Sequence, residues 1–311
     1  MTERWADRAF LRGTQYKTDV NLAARQSIYA YQHPRIDLAA RVLDLAAPAP
    51  ADTIVDVGCG NGMYLAELSQ RGFAGRVLGV DLSLGMLAAA RARVSGAAAD
   101  GPAGPDAGPA TAAHGAADPA AGPATAADGS AGPPGPRGDA AGPRGRAIAL
   151  ASADATALPL RDDAADLALA PHMLYHVPDP ADALRELRRV TRPGGRVVIV
   201  LNGAGHLREL RAAVAAARGA DPGSLAERVR LDDGETMARS FFPQVTRHDF
   251  VAELRIPDPA PIVDYVRSMS GTSHHASPEH LAATVATAFP RDSGGPYVVT
   301  SHSGCLVCEV G

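Results

Sequence analysis

The sequence predicts a doubly wound α/β fold: a seven-stranded, mostly parallel sheet with helices on both faces. Two observations carry this reading. Short apolar runs alternate with helix-period segments through the centre of the chain. A glycine-rich loop, Asp56-Val57-Gly58-Cys59-Gly60-Asn61-Gly62, joins the first of those runs to the first helix after it.

Two helical patterns, residues 20–31 and 36–45, precede the first strand, so residues 1–50 read as a helical unit ahead of the sheet. Strand 53–57 then leads to helix 62–71, and strand 76–80 to helix 84–94. Strand 147–152 leads to a turn around 155–158, strand 165–170 to helix 181–191, and strand 196–201 to helix 207–217. Strands separated by helices need a sheet covered on both faces, with parallel neighbours. Leu184, Leu187 and Val190 form the buried stripe of helix 181–191, and Pro193-Gly194-Gly195 is expected to terminate it. Strand patterns at 247–256 and 297–310, with helices 260–269 and 278–289 between them, are expected to extend the sheet to seven strands.

One segment does not fit the alternation. Residues 95–145 contain no Val, Ile, Leu, Met or aromatic side chain and are mostly Ala, Gly, Pro and Asp. Such a stretch buries too little apolar surface to offset the entropy of ordering it, so a disordered insertion is expected between a helix and the next strand. The glycines of Gly132-Pro133-Pro134-Gly135-Pro136-Arg137-Gly138 do not sustain a collagen period.

Composition narrows the partners. The 311 residues are 46% hydrophobic, enough for a sizeable core, and the net charge of −4 comes without any Lys/Arg-rich run. That disfavours nucleic acid and anionic membranes as partners and favours a small molecule. No apolar stretch nears the ~20 residues that span a bilayer, and Met1-Thr2-Glu3-Arg4-Trp5 lacks an apolar signal region, so a cytoplasmic location is expected. Three cysteines form no disulfide framework. Cys305 and Cys308 lie three apart on a strand, which points them to opposite faces and favours core packing over a redox or zinc pair.

The chemistry gathers at strand carboxyl ends, where open α/β sheets bind ligands. Glycines let a ligand approach main-chain N–H groups, and the following helix N-terminus carries partial positive charge. The loop is G-x-G-x-G; position 63 is Met, so the dinucleotide fingerprint G-x-G-x-x-G fails. Asp81, closing the second strand, is placed to accept hydrogen bonds from ribose hydroxyls, with Ser83 left to cap the next helix. Asp154, after the third strand, sits at the same edge within reach of an adenine amino group.

Taken in order, Asp56 to Gly62, Gly79-Val80-Asp81-Leu82-Ser83, Asp154 to Pro159, Leu174-Tyr175-His176-Val177-Pro178-Asp179 and Arg192-Pro193-Gly194-Gly195 resemble the class I S-adenosylmethionine-dependent methyltransferases, of the small-molecule (type 11-like) group. The resemblance implies a Rossmann-like methyltransferase fold whose final strand, 297–310, is antiparallel. It implies that S-adenosylmethionine is the cofactor, lined by Gly58, Cys59 and Gly60 through backbone, with Asp81 at the ribose and Asp154 with Ala155 at the adenine. Asp56, Leu82 and Pro171 complete the cofactor side. In relatives the N-terminal helices often form a lid; there Tyr16 faces the cofactor and Arg25 is a candidate clamp for the methionine carboxylate, an exposed helix-face arginine being the alternative.

His172 and His176, after the fourth strand, are the candidate general bases, since imidazole titrates near neutrality; packing or holding a loop is the alternative for His176. Helix 260–269 and Gly271-Thr272-Ser273-His274-His275 are candidates for closing the acceptor pocket, and no metal site is expected at His274-His275. The function expected is methyl transfer to a small-molecule oxygen, nitrogen or carbon, with a place in secondary metabolism left open. The alternative keeps the cofactor pocket without transfer, as a binding or scaffold protein. A nicotinamide-dependent oxidoreductase is disfavoured by the missing glycine. Oligomeric state stays open.

Overall fold

The computed structural model describes residues 6–17, 19–100, 148–218, 228–268, 278–289 and 294–311. Most of the insertion read at 95–145, and the whole of Gly271 to His275, lie outside the described residues.

In chain order the elements begin with α1 (Arg8–Phe10), a π-helical turn (Leu11–Gln15), α2 (Val20–Ser27), a 3₁₀ turn (Ile28–Tyr31), β1 (Gln32–His33) and α3 (Leu38–Ala46). The alternating part follows as β2 (Thr53–Val57), α4 (Met63–Gln70), β3 (Arg76–Asp81), α5 (Leu84–Asp100), β4 (Ile148–Ser152), β5 (Ala165–Pro171), α6 (Pro180–Val190) and β6 (Thr191–Asn202). The chain continues through α7 (Arg208–Arg218), α8 (Leu231–Ala238), β7 (Gln244–Ile256), α9 (Ala260–Ser268), α10 (Pro278–Ala288) and β8 (Tyr297–Glu309).

The described strands form one eight-stranded sheet in the order β1-β7-β8-β6-β5-β2-β3-β4. From β4 to β6 every pair is parallel. β8 runs antiparallel between β6 and β7, as the family resemblance implied. The seven expected strands are all present, and the two-residue β1 adds an edge against β7 through Gln32 and His33. The order reverses around β2 and β5, and that switch point places the ends of β2, β3, β4 and β5 along one edge.

Strand alternation divides the core. Val197, Ile199 and Leu201 of β6 pack on the face covered by Leu184, Leu187 and Val190 of α6. Val198 and Val200 pack on the other, with Val42 and Leu43 of α3 and Leu65 and Leu68 of α4. Cys308 joins the first face and Cys305 the second, both fully buried, and burial pushes each thiol up to about 12. A third apolar cluster, with Ile28, Leu210, Val214, Ile262 and Val266, packs helices against Leu254, Ile256 and Val299 of β7 and β8.

Several boundaries differ from the sequence reading by a few residues, and two of the differences have a local cause. α6 ends at Val190, and Pro193-Gly194-Gly195 does not cap it. Thr191 turns extended at once, its Oγ1 donating to the Leu187 carbonyl at 2.8 Å, and β6 starts there. Gly194, at φ +72°, instead donates its N–H to the Val310 carbonyl at 2.7 Å, tying the start of β6 to the end of β8. α5 runs to Asp100 instead of stopping at Val94, because the run Ala97-Ala98-Ala99 favours continuing a helix already formed.

Candidate functional site

A cavity of about 730 Å³ opens along the edge where β2 to β5 end. Its floor on one side is the glycine loop. Gly58, Gly60 and Gly62 all adopt left-handed φ, at +71°, +54° and +78°. Only glycine takes that conformation without strain, and Gly58 has a second reason to lack a Cβ. A Cβ there would stand 2.6 Å from Cβ of Met173, on the segment after β5. The Gly58 and Cys59 N–H groups donate to the Val80 carbonyl at 2.7 and 3.0 Å, which folds the loop back over β3.

Asp81, at the end of β3, braces that loop. Its Oδ2 accepts from the Gly60 N–H at 2.9 Å and its Oδ1 from the Ser83 N–H at 2.8 Å. Burial pushes its carboxyl above the usual range, and the N–H donors of Ser83, Gly60 and Leu82 pull against that rise. Ser83 caps α5 through Oγ, which accepts from Met86 N–H at 3.3 Å and donates to the Tyr16 carbonyl at 2.7 Å.

Asp56 lies apart. It does not line the cavity; it is fully buried beneath the loop, and among the described residues neither carboxyl oxygen has a hydrogen-bond partner. Burial, with the Asp81 charge adding to it, pushes its pKa up to about 8, so it is a neutral acid at pH 7. The Tyr64 hydroxyl is buried and has no partner among the described residues either, and its pKa is held well above the usual tyrosine value by burial and then by Asp56.

The N-terminal segment lies across the cofactor side. Arg8 Nε pairs with Asp154 Oδ2 at 2.6 Å and its Nη2 donates to Thr156 Oγ1 at 3.3 Å. Burial raises the Asp154 pKa, but the Thr156 N–H and O–H and the Arg8 guanidinium outweigh it and hold the carboxyl below its ordinary value. The Tyr16 hydroxyl meets His176 Nε2 at 3.0 Å, and the Arg25 guanidinium lies 5.5 Å from the Tyr16 ring centroid.

Histidines line the rest. His172 follows β5 with φ +54°, a strained backbone for a residue with a Cβ, and its main-chain N–H donates to the Val200 carbonyl at 2.9 Å. Burial lowers its pKa to about 4, so the ring is neutral. His206, after β6, is lowered to about 3 by burial, with His172, Arg211 and His302 adding to the effect. The main-chain N–H of His302 donates to His206 Nδ1 at 3.1 Å, which assigns the proton of the neutral ring to Nε2. That Nε2–H therefore donates to the Tyr29 hydroxyl oxygen at 2.9 Å.

Of the residues the sequence singles out, Tyr16, Arg25, Gly58, Cys59, Gly60, Asp81, Leu82, Asp154, Ala155, Pro171, His172 and His176 all line this one cavity. Tyr265 of α9 lines it as well. Sequence reasoning missed Asn202, His206, Ser301 and Ser303. Asn202 ends β6 and was within reach of the strand-end rule; Ser301 and Ser303 sit on antiparallel β8, where no spacing marks them. Ser303 Oγ donates to Asn202 Oδ1 at 3.0 Å, and Gln32 Nε2 donates to Ser301 Oγ at 3.2 Å.

Residues 31–241 match the family described as methyltransferase domain. The chain belongs to this methyltransferase family. It is similar to a malonyl-[acyl-carrier protein] O-methyltransferase of Serratia marcescens, 26% identical over 76% of this chain and 69% of that protein. It also resembles an uncharacterized 37.1 kDa protein in transposon TN4556 of Streptomyces fradiae, 29% identical over 51% of this chain. The matched region spans only 32% of that relative. The fold is shared with a Haemonchus contortus phosphoethanolamine N-methyltransferase 2 in complex with S-adenosyl-L-methionine: 17% identity, 98% of this chain, 60% of that one, TM-score 0.54.

The methyltransferase cofactor is S-adenosylmethionine, and the cavity fits it on this chain's own features. Gly60 lines the cavity with an open side: a Cβ added there would meet only Leu22 Cδ2, at 3.6 Å, and the loop's own Gly58 carbonyl, at 4.0 Å. A cavity-lining carboxylate, Asp81, stands directly over that glycine. Among the described residues no helix is long and apolar enough to cross a membrane.

Proposed function

We propose that this chain transfers the methyl group of S-adenosylmethionine to a small-molecule acceptor. The observation that carries it is Asp81 hydrogen-bonded to the Gly60 N–H at 2.9 Å on the cavity floor, a carboxylate and a bare backbone side by side at a strand end. The sulfonium methyl supplies the electrophile, and the protein's work is placement.

In this reading Asp81 accepts from the ribose hydroxyls, Asp154 and Ala155 border the adenine, and Arg25 takes the methionine carboxylate. Residues 1–50 act as the lid, since Arg8 and Tyr16 already touch Asp154 and His176 across the cavity. The acceptor half is walled by Tyr29, Tyr265 and Phe250 and carries the polar groups of Asn202, Ser301 and Ser303. His172 is favoured over His176 to face the acceptor, because His176 Nε2 is engaged by Tyr16. A ring whose pKa is about 4 accepts a hydrogen bond at pH 7 but is a weak base, so its role is to orient the acceptor.

Calorimetric titration of the full chain with S-adenosylmethionine tests the cofactor side. Turnover over an acceptor panel, read as S-adenosylhomocysteine release, tests transfer. No binding at millimolar concentration defeats the reading, and binding without turnover points to a scaffold role.

A further inference from the structure

The charges around the cavity are unbalanced. Three carboxylates line it, and each has a local role: Asp81 braces the loop, Asp154 pairs with Arg8, and Asp37 caps α3 by accepting from the Ala40 N–H at 3.0 Å. Against them, three exposed lining arginines make no ion pair among the described residues: Arg12, Arg35 and Arg228. Arg228 is nevertheless held in place, donating to the Val177 and Pro178 carbonyls at 3.1 and 3.0 Å, so its charge is fixed at the mouth without being neutralised.

Away from the cavity some arginines find acids: Arg71 bridges Asp44 and Glu67, Arg189 bridges Asp162 and Glu186, and Arg247 bridges Asp232, Glu235 and Asp249. Others, such as Arg91, Arg161 and Arg196, pair with none among the described residues; what sets Arg12, Arg35 and Arg228 apart is that they line one cavity. Unpaired guanidinium groups around one concavity raise a positive potential there, which concentrates anions and repels cations. The inner wall adds no counter-charge: its histidines, His172 and His206, are neutral, and Asn202, Ser301 and Ser303 are uncharged hydrogen-bonding groups.

Resting on the methyl-transfer reading above, we propose that the acceptor is a small molecule bearing an oxyanion, and that Arg12, Arg35 and Arg228 are the residues that select it. An acceptor whose reacting oxygen is itself the anion brings its own lone pair and leaves no proton to remove. That agrees with a wall whose imidazoles are too weak to deprotonate an alcohol. Where the anion is remote from the reacting atom, the same arginines orient it by bidentate hydrogen bonds.

The test uses two fluorescent probes of similar shape on the full chain saturated with S-adenosylhomocysteine: anionic 8-anilinonaphthalene-1-sulfonate and neutral N-phenyl-1-naphthylamine. The triple variant Arg12→Gln, Arg35→Gln, Arg228→Gln is expected to lose at least about tenfold in affinity for the anionic probe and to change by less than about twofold for the neutral one. Because Arg228 also holds main-chain carbonyls, Arg12→Gln with Arg35→Gln is measured beside it and is expected to show a smaller loss of the same selectivity. The charge-preserving Arg35→Lys should keep most of the anionic affinity. Unchanged binding of the anionic probe, or parallel loss of both probes, overturns the proposal. Titrating the same proteins with S-adenosylmethionine separates the two readings: wild-type chain that fails to bind it defeats methyl transfer, whereas the probe preference judges the arginines alone.

Discussion

Gly60 donates its main-chain N–H to Oδ2 of Asp81 at 2.9 Å, so the acid proposed to hold the ribose also sets the shape of the loop beneath it. One carboxylate serves two partners, and its loss is felt by both. Asp81→Ala should weaken S-adenosylmethionine binding at least about tenfold in calorimetry. Asp81→Asn keeps the size but replaces an acceptor oxygen with a donor facing an N–H, and should bind no better than the alanine variant. Wild-type affinity in either would move the ribose site elsewhere.

The contact between Gly58 and Met173 predicts a stability defect. Gly58→Ala combines φ +71° with a Cβ 2.6 Å from Met173 Cβ, and strain plus overpacking at one position costs about 2–5 kcal/mol. Trimming the neighbour with Met173→Gly removes the Cβ that the new methyl would strike and leaves the φ penalty. The double variant should therefore be more stable than the sum of the two single changes, as read from denaturant midpoints.

Buried ionisable groups predict a stability that falls on both sides of mildly acidic pH. His172 and His206 have folded pKa values of about 4 and 3, below the ordinary 6.5. A depressed folded value gives stability that is full above 6.5 and is lost as pH falls toward 4 and 3. Asp56 is raised to about 8 from 3.8, which works in the other direction. Its contribution is full below 3.8 and is lost as pH rises through about 8. Asp56→Asn should therefore be level with wild type near pH 4 and more stable above pH 8, and His206→Gln should flatten the acid limb. Urea midpoints from pH 4 to 9 check both slopes.

Arg8 predicts a change in affinity with little change in stability. The pair with Asp154 is half exposed on the arginine side, with side-chain exposures of 50% and 26%, and such pairs are worth about 0–1 kcal/mol. Arg8→Ala should shift the denaturant midpoint slightly. If Asp154 reads the adenine amino group, freeing that carboxylate should tighten S-adenosylmethionine binding by a few-fold; Asp154→Asn in the same background should abolish the gain. Identical affinities for wild type and Arg8→Ala would take Asp154 out of adenine recognition.

The parallel half of the fold was legible because its signals are local. Each strand from Thr53 to Leu201 is a short apolar run, and the left-handed positions of the loop could be filled by little but glycine. α6 was legible from its apolar stripe, and the structure adds an ordinary cap, with Asp179 Oδ1 accepting from the Ala181 N–H at 2.9 Å. The misses were of another kind. β1 exists only because Gln32 and His33 meet β7 more than two hundred residues later, and α8 is a short helix with no apolar stripe long enough to announce it. Thr191 could leave helix for strand directly because its hydroxyl satisfies a helix carbonyl, a contact invisible in a Pro-Gly-Gly motif. The acceptor wall was hidden for the same reason. Ser301, Ser303 and His206 come together only once β8 lies between β6 and β7.

Where the three cysteines sit makes them reporters already installed in the molecule. Cys308 is sealed in one apolar layer, Cys305 in the opposite layer, and Cys59 in the loop under the cavity. A thiol reagent can reach each of them only when its own neighbourhood opens, so pulsed alkylation followed by peptide mass measurement would clock the breathing of the two layers and of the loop separately. Slowing of the Cys59 signal alone on adding S-adenosylmethionine would map occupancy of the loop without a label, a crystal or knowledge of the acceptor.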